Sequence, residues 1–344
     1  MKLAEVARKL GCRLEGRADI EITGVAGIEQ AEAGQLTFLA NKRYIPLLKT
    51  TKASAVLVED LVKIERGTNY PPLNALRSEN PYLAFAQAIE FFYQAPRYAS
   101  GIHPTAIIAK SAKIGEGAHI GPYCYVAEDV EIGTRATLHS FVTVYQGARI
   151  ADDFFAHAHA VVREFCSIGN RVILQNGVIL GADGFGFAKR KDGTWHKILQ
   201  SGPVVIEDDV EIQANACVDR ATIGETRVGS GAKLDDMVMV GHGSQVGANT
   251  LLCAQVGLAG STKVGRDCIL AGQVGSGGHL TIGDRTLITA QSGIPHDLEG
   301  DAHYSGSPCV SHKQWLKNSA AFSRMPELQR RVRELEAEIE KLHS

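Results

Sequence analysis

The sequence predicts a mainly β protein: a parallel β-helix of hexapeptide repeats, with an α/β domain before it and an α-helical extension after it. Three observations carry this. Aliphatic residues recur every six positions through most of residues 101–306, and the flanking segments 1–100 and 307–344 lack that period. The chain has 36 glycines, while aromatics make up only 6% of it. Many tight turns with few bulky core residues suit a repetitive β architecture better than a layered α/β core. At 344 residues the chain exceeds one ordinary core and implies two or three units.

Residues 1–100 alternate short helical and strand patterns. Ala53-Ser-Ala-Val-Leu-Val reads as a buried strand, and Asn80-Pro81-Tyr82 opens an apolar helical run from Leu83 to Phe92. Met1 to Cys12 mixes charges with short apolar steps, so no secretory leader is expected, and no stretch reaches the length of a membrane span.

From Ile102 to Leu180, thirteen of the fourteen residues spaced by six are Ile, Leu or Val, and the exception is Ala156. The register resumes at Ile206, Ile212 and Val218, shifts near Gly224, and then runs from Val228 to Leu270 and from Ile282 to Ile294, with a break at Ser276. Neither an α-helix nor an alternating strand sustains a period of six. A solenoid does: each hexapeptide supplies one short strand and one corner, and three make a coil. Small residues are expected two before the inward aliphatic, as at Ala106, Cys124 and Ala136. Glycine often follows it, as at Gly115, Gly121, Gly133, Gly247, Gly265 and Gly283, where the expectation is that the corner uses glycine's freedom in φ.

The repeat is interrupted once, over 183–203, by a segment holding Gly-Phe-Gly-Phe and Lys189-Arg190-Lys191. A loop this long inside a regular fold is usually functional. Beyond 306 the pattern changes again. After Pro326, the residues Leu328, Val332, Leu335, Ile339 and Leu342 form a narrow heptad seam with charged flanks, expected to pack between chains rather than on its own subunit. Valine and isoleucine at one seam position with leucine at the other lean toward two strands, so the β-helix is expected to set the assembly.

The formal charge of −2 gives no basic field for nucleic acid. Seven scattered cysteines without a CxxC fit a reducing cytoplasm, and Cys124, Cys166 and Cys268 read as small buried apolar residues. The expected location is the cytoplasm, with the inner face of the membrane as a second setting.

The chemistry is expected at one corner. His242 lies two past Val240, and Gly260 lies eighteen past His242, one coil on at the same corner. A histidine beside an unshielded glycine N–H is a minimal kit for acyl transfer: the imidazole takes a proton from a nucleophile and the amide donates to the oxyanion. His279 falls two coils and one residue beyond His242. Asp235 and Asp236, about one hexapeptide before His242, are candidates to orient it or to touch substrate. His119, His139 and His343 read as surface residues.

Leu36-Thr37-Phe38, Asn41, Tyr44, Gly181-Ala-Asp-Gly-Phe-Gly, Val218-Asp219-Arg220, the His242 segment, Gly278-His279 and Tyr304-Ser-Gly together resemble the UDP-3-O-acylglucosamine N-acyltransferases of lipid A biosynthesis, a family within the hexapeptide acyltransferases. The resemblance spans essentially the whole chain. It implies a left-handed coil and a homotrimer with a site between neighbouring β-helices. It makes His242 the general base, Gly260 the oxyanion donor and His279 a sugar-nucleotide ligand, with Phe38, Asn41 and Tyr44 around uracil. Asp235 is taken as a further substrate contact. The donor would be a 3-hydroxyacyl group on the phosphopantetheine of acyl carrier protein, with no metal or redox cofactor. Carrier proteins are acidic, so Lys313, Lys317 and Arg324 near Trp315 are candidate docking residues. The rivals are another hexapeptide acyltransferase, acting on a hydroxyl or using acetyl-CoA, and a metal hydratase on the same fold. A hydratase needs three convergent histidines, yet Asp284 stands five after His279.

Overall fold

The structure is a computed structural model describing residues 1–343, and it divides into two units, Met1–Arg97 and the described residues from Tyr98 onward. The first break therefore falls a few residues ahead of the expected boundary at 100, and the C-terminal helices belong to the second unit.

In the first unit, helix α1 (Leu3–Leu10) ends at Gly11, whose φ of 64° supplies the left-handed cap that a side chain would resist. Strands β1 (Arg13–Glu15), β2 (Gly24–Val25), β3 (Gln35–Phe38), β4 (Ala55–Val58) and β5 (Asn74–Arg77) form one sheet in the order β1-β5-β4-β3-β2. Only β1 runs antiparallel to its neighbour. All four residues of β4 are buried, because the sheet has an apolar cluster on each face, one around Leu36 and Leu57 and the other around Val56 and Val58. Helix α2 (Pro81–Phe92) begins where the sequence places it: the Asn80 side chain accepts from the Leu83 N–H at 3.0 Å, and Pro81 fills the first turn.

The second unit is a parallel β-solenoid of two-residue strands and tight corners. Its three faces are sheets of ten, nine and twelve strands. Pairing runs strictly across one coil, with Val126 beside Ile108 and Val144, so eighteen residues make a turn. Each aliphatic side chain stacks on its equivalents above and below. Ile120, Val126, Leu138, Val144, Val162 and Leu174 are all fully buried in one continuous core with Cys124, Cys166 and Cys268.

The corner glycines correct the sequence reading. None of Gly115, Gly121, Gly133, Gly247, Gly265 and Gly283 has a positive φ. They are glycines because the next coil's backbone lies against them: a Cβ on Gly121 would sit 2.8 Å from the Leu138 carbonyl oxygen, and one on Gly265 would sit 2.6 Å from the Asp284 nitrogen. The left-handed conformation instead falls two residues later, on side-chain-bearing residues such as Asp129, Arg135, Asn249, Asp267 and Arg285. Polar side chains there bond along the stack, as where Arg135 holds Asp153 with two 2.6 Å hydrogen bonds.

His119 and His139 are not free surface residues either. Tyr98 lies edge-on to the His139 ring at 4.6 Å, and His139 stacks on His157 at 5.2 Å. Burial, then the neighbouring histidines, hold the His139 pKa below its ordinary value. The side chain of His343 lies outside the described residues.

Over 183–203 the chain leaves the coil as a two-stranded hairpin, Phe187–Lys189 against Trp195–Lys197. The C-terminal helices are α3 (His312–Ser323) and α4 (Met325–His343). His312 stacks on His303 at 4.0 Å, and the Ser305 hydroxyl lies 2.7 Å from the His312 Nδ1, tying α3 to the end of the solenoid. The seam residues Leu328, Val332, Leu335 and Ile339 are more than two-fifths exposed. No helix of the described residues is long and apolar enough to cross a membrane.

Candidate active site

The predicted corner forms as coil arithmetic requires. His242 follows the strand Met239–Val240, which pairs in register with Gly257–Leu258, so Gly260 lies directly beneath it. The backbone is knitted down the stack: the Ser261 N–H donates to the His242 carbonyl at 2.8 Å, and the His279 N–H to the Gly260 carbonyl at 3.0 Å. The Gly243 N–H donates to the Thr226 hydroxyl at 2.8 Å, and Thr226 is fully buried, which fixes the chain beside the histidine.

The half-buried imidazole leans over Gly260. A Cβ there would lie 2.5 Å from Nε2, 2.7 Å from Cε1 and 2.9 Å from Cδ2, so only glycine leaves the ring its place. No carbonyl of the described residues accepts the Gly260 N–H. A base and an unpaired amide thus share one corner. His279 lies one residue off this column, at a left-handed corner position with φ 58°, and is exposed beside it.

Asp235 is not brought to this corner. It sits at the preceding one, at the other end of the strand Met239–Val240, and its two oxygens accept the Asp236 and Ala254 N–H groups at 2.8 and 2.9 Å. Asp236 accepts the Ala214 N–H at 2.9 Å. Among the described residues no group of three or more His, Cys, Asp and Glu side chains could hold a metal ion.

In the first unit, Phe38, Asn41 and Tyr44 do converge. They line a cavity of about 360 Å³ with Gln30 and Tyr82. Phe38 is half-buried and stacks on Phe85 at 4.1 Å, so it serves the core as well as the cavity wall. The Asn41 side-chain oxygen Oδ1 accepts from the Arg43 N–H at 2.9 Å, capping the short 3-10 helix Lys42–Lys49, and its side-chain N–H₂ makes no hydrogen bond within the described residues.

Three groups received no role from the sequence. Gly184, at the root of the hairpin, lies against the His242 side chain: a Cβ on it would be 2.5 Å from the His242 Cβ. Gln200, 7% exposed, spans the hairpin's two limbs. Asp219, also 7% exposed, accepts no hydrogen bond among the described residues, and burial, reinforced by Asp183, pushes its pKa up to about 6. Gly184 and Asp219 stood in the sequence only as members of the Gly181-Ala-Asp-Gly-Phe-Gly and Val218-Asp219-Arg220 motifs, and Gln200 stood in none.

A parallel solenoid with a histidine and a bare amide on one outer corner defines the class: a hexapeptide-repeat transferase. Residues 102–146 match the bacterial transferase hexapeptide model. Residues 19–91 match the model described as UDP-3-O-(3-hydroxymyristoyl) glucosamine N-acyltransferase, LpxD. The chain is 52% identical to UDP-3-O-acylglucosamine N-acyltransferase 1 of Koribacter versatilis, over 97% of this chain and 98% of that one. It is 50% identical to UDP-3-O-acylglucosamine N-acyltransferase 2 of Gloeobacter violaceus, over 98% and 90%. Among solved structures, an Arabidopsis UDP-N-acetylglucosamine acyltransferase is similar with a TM-score of 0.55 at 20% identity, over 61% of this chain and 73% of that one, a likeness of fold. The chain belongs to the UDP-3-O-acylglucosamine N-acyltransferase family.

Proposed function

We propose that this protein moves a 3-hydroxyacyl group from the phosphopantetheine thiol of acyl carrier protein to the 2-amino group of a UDP-3-O-acylglucosamine, in the cytoplasm. The observation that carries the reading is the His242 imidazole held against the bare Gly260 amide, in a chain whose full-length relatives are N-acyltransferases named for that acceptor. The neutral amine attacks the thioester carbonyl, and His242 accepts its proton. The Gly260 N–H donates to the oxyanion of the tetrahedral intermediate. Collapse breaks the carbon–sulfur bond, and the thiol leaves with the proton that His242 holds.

In this reading Phe38 and Tyr44 offer their faces to uracil, and the Asn41 amide pairs with its polar edge. His279 holds the sugar-nucleotide. Asp235 reaches substrate only through lone pairs left over from its two backbone bonds. Lys313, Lys317 and Arg324 attract the acidic carrier. The coil is left-handed and the working unit a homotrimer, as the family resemblance implies.

The test has two arms. His242→Ala should lower the transfer rate about 10²–10⁴-fold with acceptor affinity nearly unchanged; near-normal turnover would refute the base. Phe38→Leu keeps an apolar side chain against Phe85 and removes the ring. It should weaken acceptor binding by calorimetry by about 1–3 kcal/mol, without raising the donor's KM. Unchanged affinity moves uridine elsewhere.

A further inference from the structure

The hairpin that interrupts the solenoid returns to His242 at its root, and the contacts there are specific. Gly184 is the last residue before the exposed aromatic Phe185, and its α-carbon lies on the histidine side chain. An added Cβ would stand 2.5 Å from the His242 Cβ and 3.0 Å from its Cγ. Gly260 meets the opposite part of the same side chain, at Nε2, Cε1 and Cδ2. The histidine therefore lies between two glycines, one from the excursion and one from the next coil, and neither position tolerates a methyl group without moving it.

What holds Gly184 there is Gln200. Its carbonyl oxygen would lie 2.9 Å from a Cβ on Gly184, and its amide nitrogen 2.8 Å from one on Gly186. Gln200 Nε2 donates to the Ile198 carbonyl at 3.0 Å, and its Oε1 accepts from the Thr222 hydroxyl at 2.9 Å. One buried amide thus packs on the outgoing limb, bonds to the returning limb and is anchored to the solenoid. A buried polar side chain with both ends satisfied is costly to disturb, because either end left alone loses its hydrogen bond without regaining water.

We infer that the root of the hairpin is a positioning element for His242: Gly184 backs the imidazole, and the Gln200–Thr222 pair sets Gly184 in place. The inference rests on the proposed role of His242 as the base. Proton transfer depends on the base lying within hydrogen-bond reach of the attacking amine, so a ring displaced by the width of a methyl group loses rate without losing substrate.

The experiment is steady-state kinetics on the full-length enzyme with four variants, alongside thermal unfolding. Gly184→Ala should lower kcat about 10- to 100-fold, with KM for acceptor and donor within about two-fold of the parent. Thr222→Val, which removes the hydroxyl at nearly constant shape, should lower kcat in the same way but less. Thr222→Ser, which restores the hydroxyl, should recover it. The acid limb of the kcat/KM pH profile should move in Gly184→Ala, because the base's surroundings change, and stay put in Thr222→Ser. Unchanged kcat in Gly184→Ala overturns the inference, as does a rise in KM with kcat intact, which would make the root a binding surface. Loss of activity only in step with a lowered melting temperature would reduce it to a folding role. His242→Ala is the fourth variant: if it stays active, the base assignment fails; if it is inactive while Gly184→Ala is normal, only the positioning role fails.

Discussion

Asp219 shows how a single side chain can be held against its own charge. It follows the inward Val218 on a strand whose register with the hairpin root puts Asp219 beside Ala182 and Arg220 beside Asp183. Arg220 turns away, donating to the Glu164 carbonyl at 2.9 Å and pairing with its carboxylate at 3.3 Å, so it does not compensate Asp219. With almost no water and a second acid nearby, the carboxyl pKa rises from 3.8 to about 6. The sign follows from linkage. The unfolded chain ionises this group near its ordinary value and the folded chain resists, so stability is fully present below about pH 4 and is lost as pH rises through about 6. Asp219→Asn removes the charge and should stabilise the protein at about pH 8 by up to ~3 kcal/mol, with little gain near pH 4. Chemical unfolding at the two pH values reads this directly, and an equal effect at both would mean the carboxylate is solvated or paired. His139 makes the complementary case: its Nε2 is buried without a partner, and burial lowers its pKa. Its surroundings were hidden in the sequence because Tyr98 precedes the first repeat and obeys no register.

At the scale of the element, the hexapeptide has two corner positions with opposite demands. Where glycine follows the inward aliphatic, as at Gly121 and Gly265, the next coil's backbone fills the space a side chain would take. The residue two later adopts φ near +57° yet usually carries a polar side chain that bonds along the stack. Gly265→Ala should therefore destabilise the protein by about 1–3 kcal/mol through overpacking. Asp267→Gly, at φ 56°, relieves left-handed strain and should cost much less or stabilise slightly. Thermal melts of the two variants separate steric closeness from backbone freedom, and similar losses would contradict the assignment. This is also where the sequence misleads. A glycine recurring after the inward aliphatic is visible, but its reason is not, since close approach and positive φ leave the same letter. The inward aliphatics were legible because one period fixes both strand and face. The pairing of His242 with Gly260 was legible because one coil is eighteen residues. Gly184 was not, since the hairpin cancels the register and no arithmetic connects residue 184 to residue 242. In the first unit, Phe38, Asn41 and Tyr44 were found only through family resemblance, because no repeat relates them.

The whole chain leaves apolar surface that it does not cover. Along α4 the seam Leu328, Val332, Leu335 and Ile339 is 56, 51, 41 and 53% exposed, while Arg330, Arg331 and Glu334 pair with one another on its flank. On the early coils Tyr123, Phe141 and His159 stack in a ladder with centroids about 5 Å apart, and Tyr123 and Phe141 are 59 and 46% exposed. Exposed apolar stripes of this kind mark candidate contact surfaces. A solenoid that met further copies of itself face against edge would use heterologous contacts, and such contacts either close into a ring or run on as a filament. The proposed homotrimer is such a closed ring, in which each chain meets one neighbour through one surface and the other through a second, and no contact is left unmatched. Light scattering at assay concentration should therefore report three chains. Leu335→Glu and Val332→Glu together place like charges on the seam, so in the proposed trimer they should weaken any pairing of the C-terminal helices while the chain count stays at three. A shift to monomer in that double variant would make the helix the principal tie. A two-chain parent would make the seam, whose β-branched and leucine pattern favours pairs, the determinant of assembly.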